Sequence, residues 1–257
     1  MSRIKPDYSK FSAADTAKME EITGVPAKAM LVQSGLLPTP PPNAKVLDNA
    51  CGGGLLASLL FNAVGKSTDA TVVCGDLEEY MVNSAAERIK MNGWNAEATV
   101  ADAQALPFPD NHFSHNLMNF GMQLMPDPPL AVKESFRVLK SGGTVGMTYW
   151  TAPGWLESFK IAVKGFTMPP IFLDGPESMK ESVAAIVAAA GFTRVNVQPV
   201  KFEHTDDISR YLRYMKEMFP VLREEGGVEY EAYMRGRYGD GDFTLTWEAF
   251  VITAEKP

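Results

Sequence analysis

What this chain can become is narrowed first by the run Val46-Leu47-Asp48-Asn49-Ala50-Cys51-Gly52-Gly53-Gly54-Leu55-Leu56. Apolar residues and a carboxylate end a short buried strand, and three glycines follow at once. Leu55, Leu56, Leu59, Leu60 and Val64 then recur at helical spacing. Strand, acid, glycine turn and helix, in that order, make the first βα unit of an open α/β sheet. Ligands of such sheets bind outside the carboxyl ends of the strands. A Cβ in the turn would block close approach of a ligand to the backbone, which is why glycine belongs there. The N–H groups that open the helix offer donors to an anionic ligand group. The run is a cofactor cradle.

The pattern then repeats. Ala70–Asp76 reads as a second buried strand ending in an acid, followed by a helix from about Glu78 to Met91. Ala96 to Ala101 is a third strand ending at Asp102-Ala103, and Leu106-Pro107-Phe108-Pro109-Asp110-Asn111 is a turn-rich connection. A fourth strand, Phe113 to Asn119, leads into Phe120-Gly121-Met122-Gln123. A helix from Pro128 to Leu139 stops at Lys140-Ser141-Gly142-Gly143, and a fifth strand runs from Thr144 to Trp150. Strands alternating with such helices predict a doubly wound, mostly parallel sheet with helices on both faces.

Outside this core the sequence is less regular. Residues 1 to about 36 read as helical in pieces and end at the stiff Leu37-Pro38-Thr39-Pro40-Pro41-Pro42 connector. Residues 151–180 fit no regular crossover. A helix over Glu177–Ala190, a sixth strand over Arg194–Phe202 and an amphipathic helix around Ile208–Phe219 follow. Next come a charged stretch containing Tyr230, Tyr233 and Met234, and a last strand, Phe243 to Ala254. The expected division is a helical lid and connector over 1–43 and a main domain over 44–257. The main domain carries cap insertions at about 151–180 and 205–240.

Composition excludes several function classes. A net charge of −7 and a pI near 5.1 oppose a nucleic-acid backbone as principal partner. No apolar run approaches the length of a membrane-spanning helix, and the first residues hold no apolar signal core. Two cysteines, Cys51 and Cys74, read as reduced thiols of a cytoplasmic protein. The 14 methionines suit a plastic apolar cavity as well as core filling. No metal-ligand spacing is visible, and the sequence does not fix an oligomeric state.

The turn alone leaves the cofactor open, because Gly52-Gly53-Gly54-Leu55-Leu56-Ala57 also satisfies the loose dinucleotide pattern with Asp76 placed to grip a ribose. Asp48 tips the balance, since a carboxylate there suits a ligand amine and sits awkwardly beside a pyrophosphate. Asp102 adds an acceptor for an adenine amino group. A nicotinamide-dependent oxidoreductase is therefore the weaker alternative.

At these residues the chain resembles the class I S-adenosylmethionine-dependent methyltransferases, in the pattern of the ubiquinone/menaquinone-biosynthesis type. The resemblance spans about Ala44 to Lys140. It rests on the 46–54 run, on Gly75-Asp76-Leu77-Glu78-Glu79-Tyr80-Met81, on Ala101-Asp102-Ala103-Gln104-Ala105-Leu106-Pro107-Phe108, and on Arg137-Val138-Leu139-Lys140-Ser141-Gly142-Gly143. It implies a seven-stranded sheet whose last strand is antiparallel, and S-adenosylmethionine as cofactor with S-adenosylhomocysteine as product. Ala50, Cys51, Gly52 and Gly54 would wrap the methionine half, with Asp48 near its amine. Asp76 would accept the ribose hydroxyls, Leu77 and Met81 would pack on adenine, and Asp102 and the Ala103 amide would meet the adenine edge. Asn119 and Phe120 would line the sulfonium side. Ala50 departs from the usual glycine, Ser114 from the acid that opens strand four, and Gln123 from a common histidine.

The acceptor is expected to be a small apolar or aromatic molecule, with oxygen (phenol, enol or alcohol) as the first choice of acceptor atom and nitrogen, sulfur or carbon left open. Tyr8, Phe11, Met122, Gln123, Trp150 and Trp155 are the candidate acceptor wall. Among three histidines, His112 reads as a loop residue and His115 as packed against the sheet, which leaves His204 as the candidate general base. A cofactor-binding regulatory partner, or a catalyst that methylates nothing, is the other alternative.

Overall fold

The computed structural model describes residues 13–65, 67–164, 166, 175–223 and 225–257. Tyr8, Phe11 and part of the 151–180 insertion lie outside the described residues.

Seven strands form one sheet: β1 (Lys45–Asn49), β2 (Thr71–Asp76), β3 (Ala96–Val100), β4 (Phe113–Asn119), β5 (Leu139–Ala152), β6 (Thr193–Asp207) and β7 (Asp242–Glu255). Their order is β3-β2-β1-β4-β5-β7-β6. β3, β2, β1, β4 and β5 pair in parallel, and β7 runs antiparallel to both β5 and β6. The strand order reverses beside β1, so β1 and β4 flank the switch point where such sheets bind ligands. Eight helices complete the described chain: α1 (Ala13–Gln33), α2 (Leu55–Val64), α3 (Glu79–Asn92), α4 (Pro128–Val138), α5 (Leu156–Ala162), α6 (Gly175–Ala189), α7 (Ile208–Met218) and α8 (Glu225–Tyr238).

Side-chain alternation sorts the sheet into two faces. One carries Val46, Val72, Cys74 and Leu117, which join Ala27, Met30 and Leu31 of α1, Leu56 and Leu60 of α2, and Ala85 and Ile89 of α3 in one apolar core. Each large aliphatic side chain buried there contributes about 1.5–3 kcal/mol. Gly146 on β5 is needed for this packing, because a Cβ would stand 2.6 Å from Leu117 Cδ2 and 3.1 Å from Met30 Cγ.

The chain separates into two compact units. The larger comprises residues 23–149, 180–200 and 250–257. The other comprises the described residues among 1–22, 150–179 and 201–249. It has its own core, in which Phe159, Tyr211, Met215, Phe219, Tyr230, Met234 and Trp247 are buried. The unit boundary falls within α1, a single helix of 21 residues with Pro26 inside it. The expectation of separate helical pieces is corrected: its Ala27, Met30 and Leu31 face supplies packing that holds the helix together.

Two further readings are corrected. Gly142-Gly143 does not stop α4, which ends at Val138 and passes directly into β5. Phe113 pairs with Leu139 but His115 with Thr144, so residues 140–143 bulge out of the ladder. Gly142, at φ 75°, donates its N–H to the Lys256 carbonyl at 2.8 Å, and the Lys256 N–H reaches the Gly143 carbonyl at 2.9 Å. These glycines serve a strand irregularity. The charged stretch after residue 224 is helical, as α8, with Tyr230 and Met234 buried one turn apart.

Candidate functional site

The cradle is built as its residue types demand. Ala50, Gly52 and Gly54 all take left-handed backbone conformations, with φ of 56°, 53° and 80°. An L side chain there costs roughly 1–2 kcal/mol, so Ala50 holds the turn at some strain. A Cβ on Gly52 would meet nothing within 4 Å, so that side of the turn is open space. The Cys51 N–H donates to the Gly75 carbonyl and the Gly54 N–H to the Cys51 carbonyl, both at 3.0 Å. Behind the turn, Arg88 of α3 donates to the Gly53 carbonyl at 3.1 Å.

Asp76, at the end of β2, fixes the turn from the side. One carboxylate oxygen accepts the Gly52 N–H at 2.8 Å, and the other accepts the Glu78 N–H at 3.0 Å. Each oxygen keeps a second lone pair, so the carboxylate is held in place yet can still accept from paired hydroxyls. Leu77 next to it is 61% exposed and Met81 half-buried, an apolar surface suited to a flat heterocycle. On β3's far side, Asp102 accepts the Gln104 N–H at 2.8 Å, and Ala103 is buried. Asp48 is buried at the end of β1. Acids thus stand at or just past the ends of three adjacent strands, an arrangement that favours a cationic ligand over a pyrophosphate.

Asn119 and Phe120 close the β4 end. The Thr148 hydroxyl donates to Asn119 Oδ1 at 2.7 Å, and accepts the Phe120 N–H at 2.9 Å. Asn119 Nδ2 donates to the Thr23 carbonyl of α1 at 3.4 Å. Phe120 itself is left-handed, at φ 59°. Sequence reasoning missed Thr148. Its signal was position, directly opposite Asn119 in the β4–β5 ladder.

The thiol of Cys51 donates to the Gly52 carbonyl at 3.3 Å. Its contact with the Cys74 thiol, burial, and the nearby Asp48 and Asp76 carboxylates push its pKa well above the usual thiol range. It is a packing group of the turn, with no thiolate to offer. Met122 is buried in the 3₁₀ turn Met122–Leu124, with Gln123 beside it half-buried.

His115 Nε2 donates to the Ser34 carbonyl at 3.2 Å, and its Nδ1 pairs with the Ser114 hydroxyl at 2.9 Å. Burial lowers its pKa, and it is a satisfied core residue. His112 lies against Lys45 Nζ at 2.5 Å. His204, on β6 in the smaller unit, has Nε2 3.9 Å from a Glu21 carboxylate oxygen. Burial and then Lys18 lower its pKa. In the same unit, Trp150 packs on Trp247 with ring centroids 5.3 Å apart, and Trp155 on Phe219 at 5.1 Å. Among the described residues, no group of His, Cys, Asp and Glu is arranged to hold a metal ion, and no helix is long and apolar enough to cross a membrane.

A doubly wound sheet with a left-handed glycine turn, a ribose-competent carboxylate and an acidic rim defines a binder of a cationic nucleoside cofactor. Comparison with known proteins agrees. The methyltransferase domain family matches residues 46–143. The methyltransferase ktnA of Aspergillus niger is 31% identical, over 82% of this chain and 84% of its own. The acetylaranotin bis-thiomethyltransferase of Aspergillus terreus is 27% identical over 97% and 96%. A ubiquinone/menaquinone C-methyltransferase of Shewanella piezotolerans, 30% identical, covers only 60% of this chain. A solved structure of a methyltransferase from Bacillus halodurans superposes with a TM-score of 0.63 over 90% of this chain and 98% of its own, at 20% identity. The chain belongs to the class I S-adenosylmethionine-dependent methyltransferases. Its cofactor is S-adenosylmethionine.

Proposed function

We propose that this enzyme transfers the cofactor methyl group to an oxygen of a small apolar or aromatic molecule, a phenol, enol or alcohol, in the cytoplasm. The observation that supports the cofactor half of the reading is the double anchoring of Asp76, which fixes a ribose-competent carboxylate to the glycine turn itself. When bound, S-adenosylmethionine supplies an electrophilic methyl on a sulfonium leaving group. The chain's part is binding, alignment and exclusion of water.

In this reading Asp76 holds the ribose, Leu77 and Met81 cover adenine, and Asp102 with the Ala103 amide reads the adenine edge. Ala50, Cys51, Gly52 and Gly54 supply the backbone around the methionine half, and Asp48 faces its ammonium. Asn119 and Phe120, braced by Thr148, set the wall next to the sulfonium. The smaller unit, rich in aromatic and methionine side chains, is assigned acceptor selection through Trp150 and Trp155, and residues 1–43 are assigned the role of a lid. His204 is assigned the role of general base. Its lowered pKa keeps the imidazole neutral near pH 7 and able to take a proton. The likeness to a thiomethyltransferase makes sulfur the leading alternative acceptor atom.

Calorimetric titration of the stripped protein with S-adenosylmethionine, S-adenosylhomocysteine and NAD(H) tests the site. Binding of the first two alone is expected, and binding of NAD(H) alone overturns the reading. Mass analysis after incubation with phenols, enols, amines and thiols then identifies the acceptor by its gain of a methyl group. An unmethylated product in every class would reassign the protein to a non-methylating role.

A further inference from the structure

Asn49 and Asn116 occupy the two strands at the switch point, β1 and β4. Leu47 is the Cα partner of Asn116, and Asn49 lies two residues further on, so both amides stand on the same face of the sheet. The neighbours on that face are Leu47, Val73, Met118, Val145 and Met147, all apolar. Both asparagines are 0% exposed. The Oδ1 and Nδ2 atoms of each have no hydrogen-bond partner among the described residues.

Asparagine is disfavoured in strand interiors even before burial. Leaving one buried amide atom unmet shifts the folding equilibrium by roughly tenfold or more, and here four such atoms lie in the centre of the sheet. Their partner must be small, and must both donate to carbonyls and accept from amines. Water meets these conditions, and in protein interiors it typically makes about three hydrogen bonds to otherwise unsatisfied groups. With parallel strands about 4.8 Å apart and a rise of about 3.3 Å per residue, residues offset by two on adjacent strands stand about 8 Å apart, a separation that two amide side chains and one bridging water span.

We propose that Asn49 and Asn116 frame an internal hydration site below the cofactor turn, holding at least one ordered water that bridges the two carboxamides. The site explains why two polar residues stand at positions where the surrounding face is apolar.

A high-resolution crystal structure of the full chain should show a water within about 3.2 Å of a side-chain atom of each asparagine. A direct amide–amide hydrogen bond, or a dry contact, would overturn the proposal. Urea denaturation of Asn49→Leu, Asn116→Leu and the double variant gives an independent reading. Each single change strands the other amide and its water, and should lower the folding constant about tenfold. The double change removes the whole polar site and should recover most of that loss. Additive losses would sink the idea, and where a single variant fails to fold the crystallographic water decides alone.

Discussion

Asp76 and Gly52 are 24 residues apart in sequence, yet the Asp76 carboxylate accepts the Gly52 amide at 2.8 Å. The residue assigned to the ribose is therefore also the clamp on the glycine turn, and its loss removes two functions together. Asp76→Ala should weaken S-adenosylhomocysteine binding by about a hundredfold or more, since it deletes charge-assisted acceptors and frees the turn. It should also cost about 0.5–1.5 kcal/mol of stability, from the hydrogen bonds lost to the solvent-accessible Gly52 and Glu78 amides. Calorimetry and urea denaturation read the two effects separately. Affinity within a few-fold of the parent would refute the site map.

The turn offers a second, opposite prediction. Ala50 sits at φ 56°, where glycine is free of the side-chain penalty. Ala50→Gly relieves that strain, partly offset by about 0.4–1 kcal/mol of added unfolded-state entropy. The variant should be equal to the parent or more stable, with cofactor affinity unchanged. Gly121→Ala should do the reverse, because its Cβ would stand 2.8 Å from both Ala50 Cβ and Met118 Cγ. A loss of about 1–3 kcal/mol is expected for that overpacking. Denaturation midpoints of the two variants should move apart.

Much of this was legible because the parallel core is written in local signals. The strand–acid–glycine–helix order at 46–56 placed β1 and α2, and apolar alternation placed β7. The signals failed where one residue type serves two geometries. Gly142 and Gly143 resemble a helix stop, but their use in a bulge is decided by Lys256, more than a hundred residues away. α8 was hidden by Gly226, Gly227 and Gly236, which weaken helix propensity. Burial of Tyr230 and Met234 in the smaller unit's core holds that segment helical. The acids at 48, 76 and 102 were readable as strand ends, whereas Thr148 became visible as a brace only once β4 and β5 were in register.

His115 yields a pH prediction. Its folded pKa lies below the usual value of 6.5 because burial disfavours the charged ring. The unfolded chain therefore binds the proton first as pH falls. The stability His115 contributes is complete above about pH 6.5 and declines as pH drops toward the folded pKa, by at most about 1.4 kcal/mol per pH unit. His112 and His204 shift in the same direction, so the test is a difference. His115→Gln should flatten the stability profile between pH 7.5 and 5.5 relative to the parent. An unchanged slope would show that His115 titrates normally in the folded protein.

In the smaller unit, Tyr230 joins two buried hydroxyls, with its OH 3.0 Å from Ser158 Oγ and 3.1 Å from the Tyr211 OH. Ser158 keeps a second bond, to the Trp155 carbonyl at 2.8 Å. Tyr211 is 1% exposed, and among the described residues its hydroxyl has Tyr230 as its hydrogen-bond partner. Burial raises the pKa of both tyrosines, so near neutral pH the link is between uncharged hydroxyls. Tyr230→Phe keeps the ring packed on Phe159, whose centroid is 5.0 Å away, and removes only the oxygen. The cost should be about 1–3 kcal/mol, carried mainly by the stranded Tyr211 hydroxyl. Adding Tyr211→Phe removes the stranded group, so the double variant should be no less stable than Tyr230→Phe alone, a coupling that urea denaturation of all three variants resolves. Strict additivity would mean that the two hydroxyls do not depend on one another, and that the core of this unit is held by its aromatic packing alone.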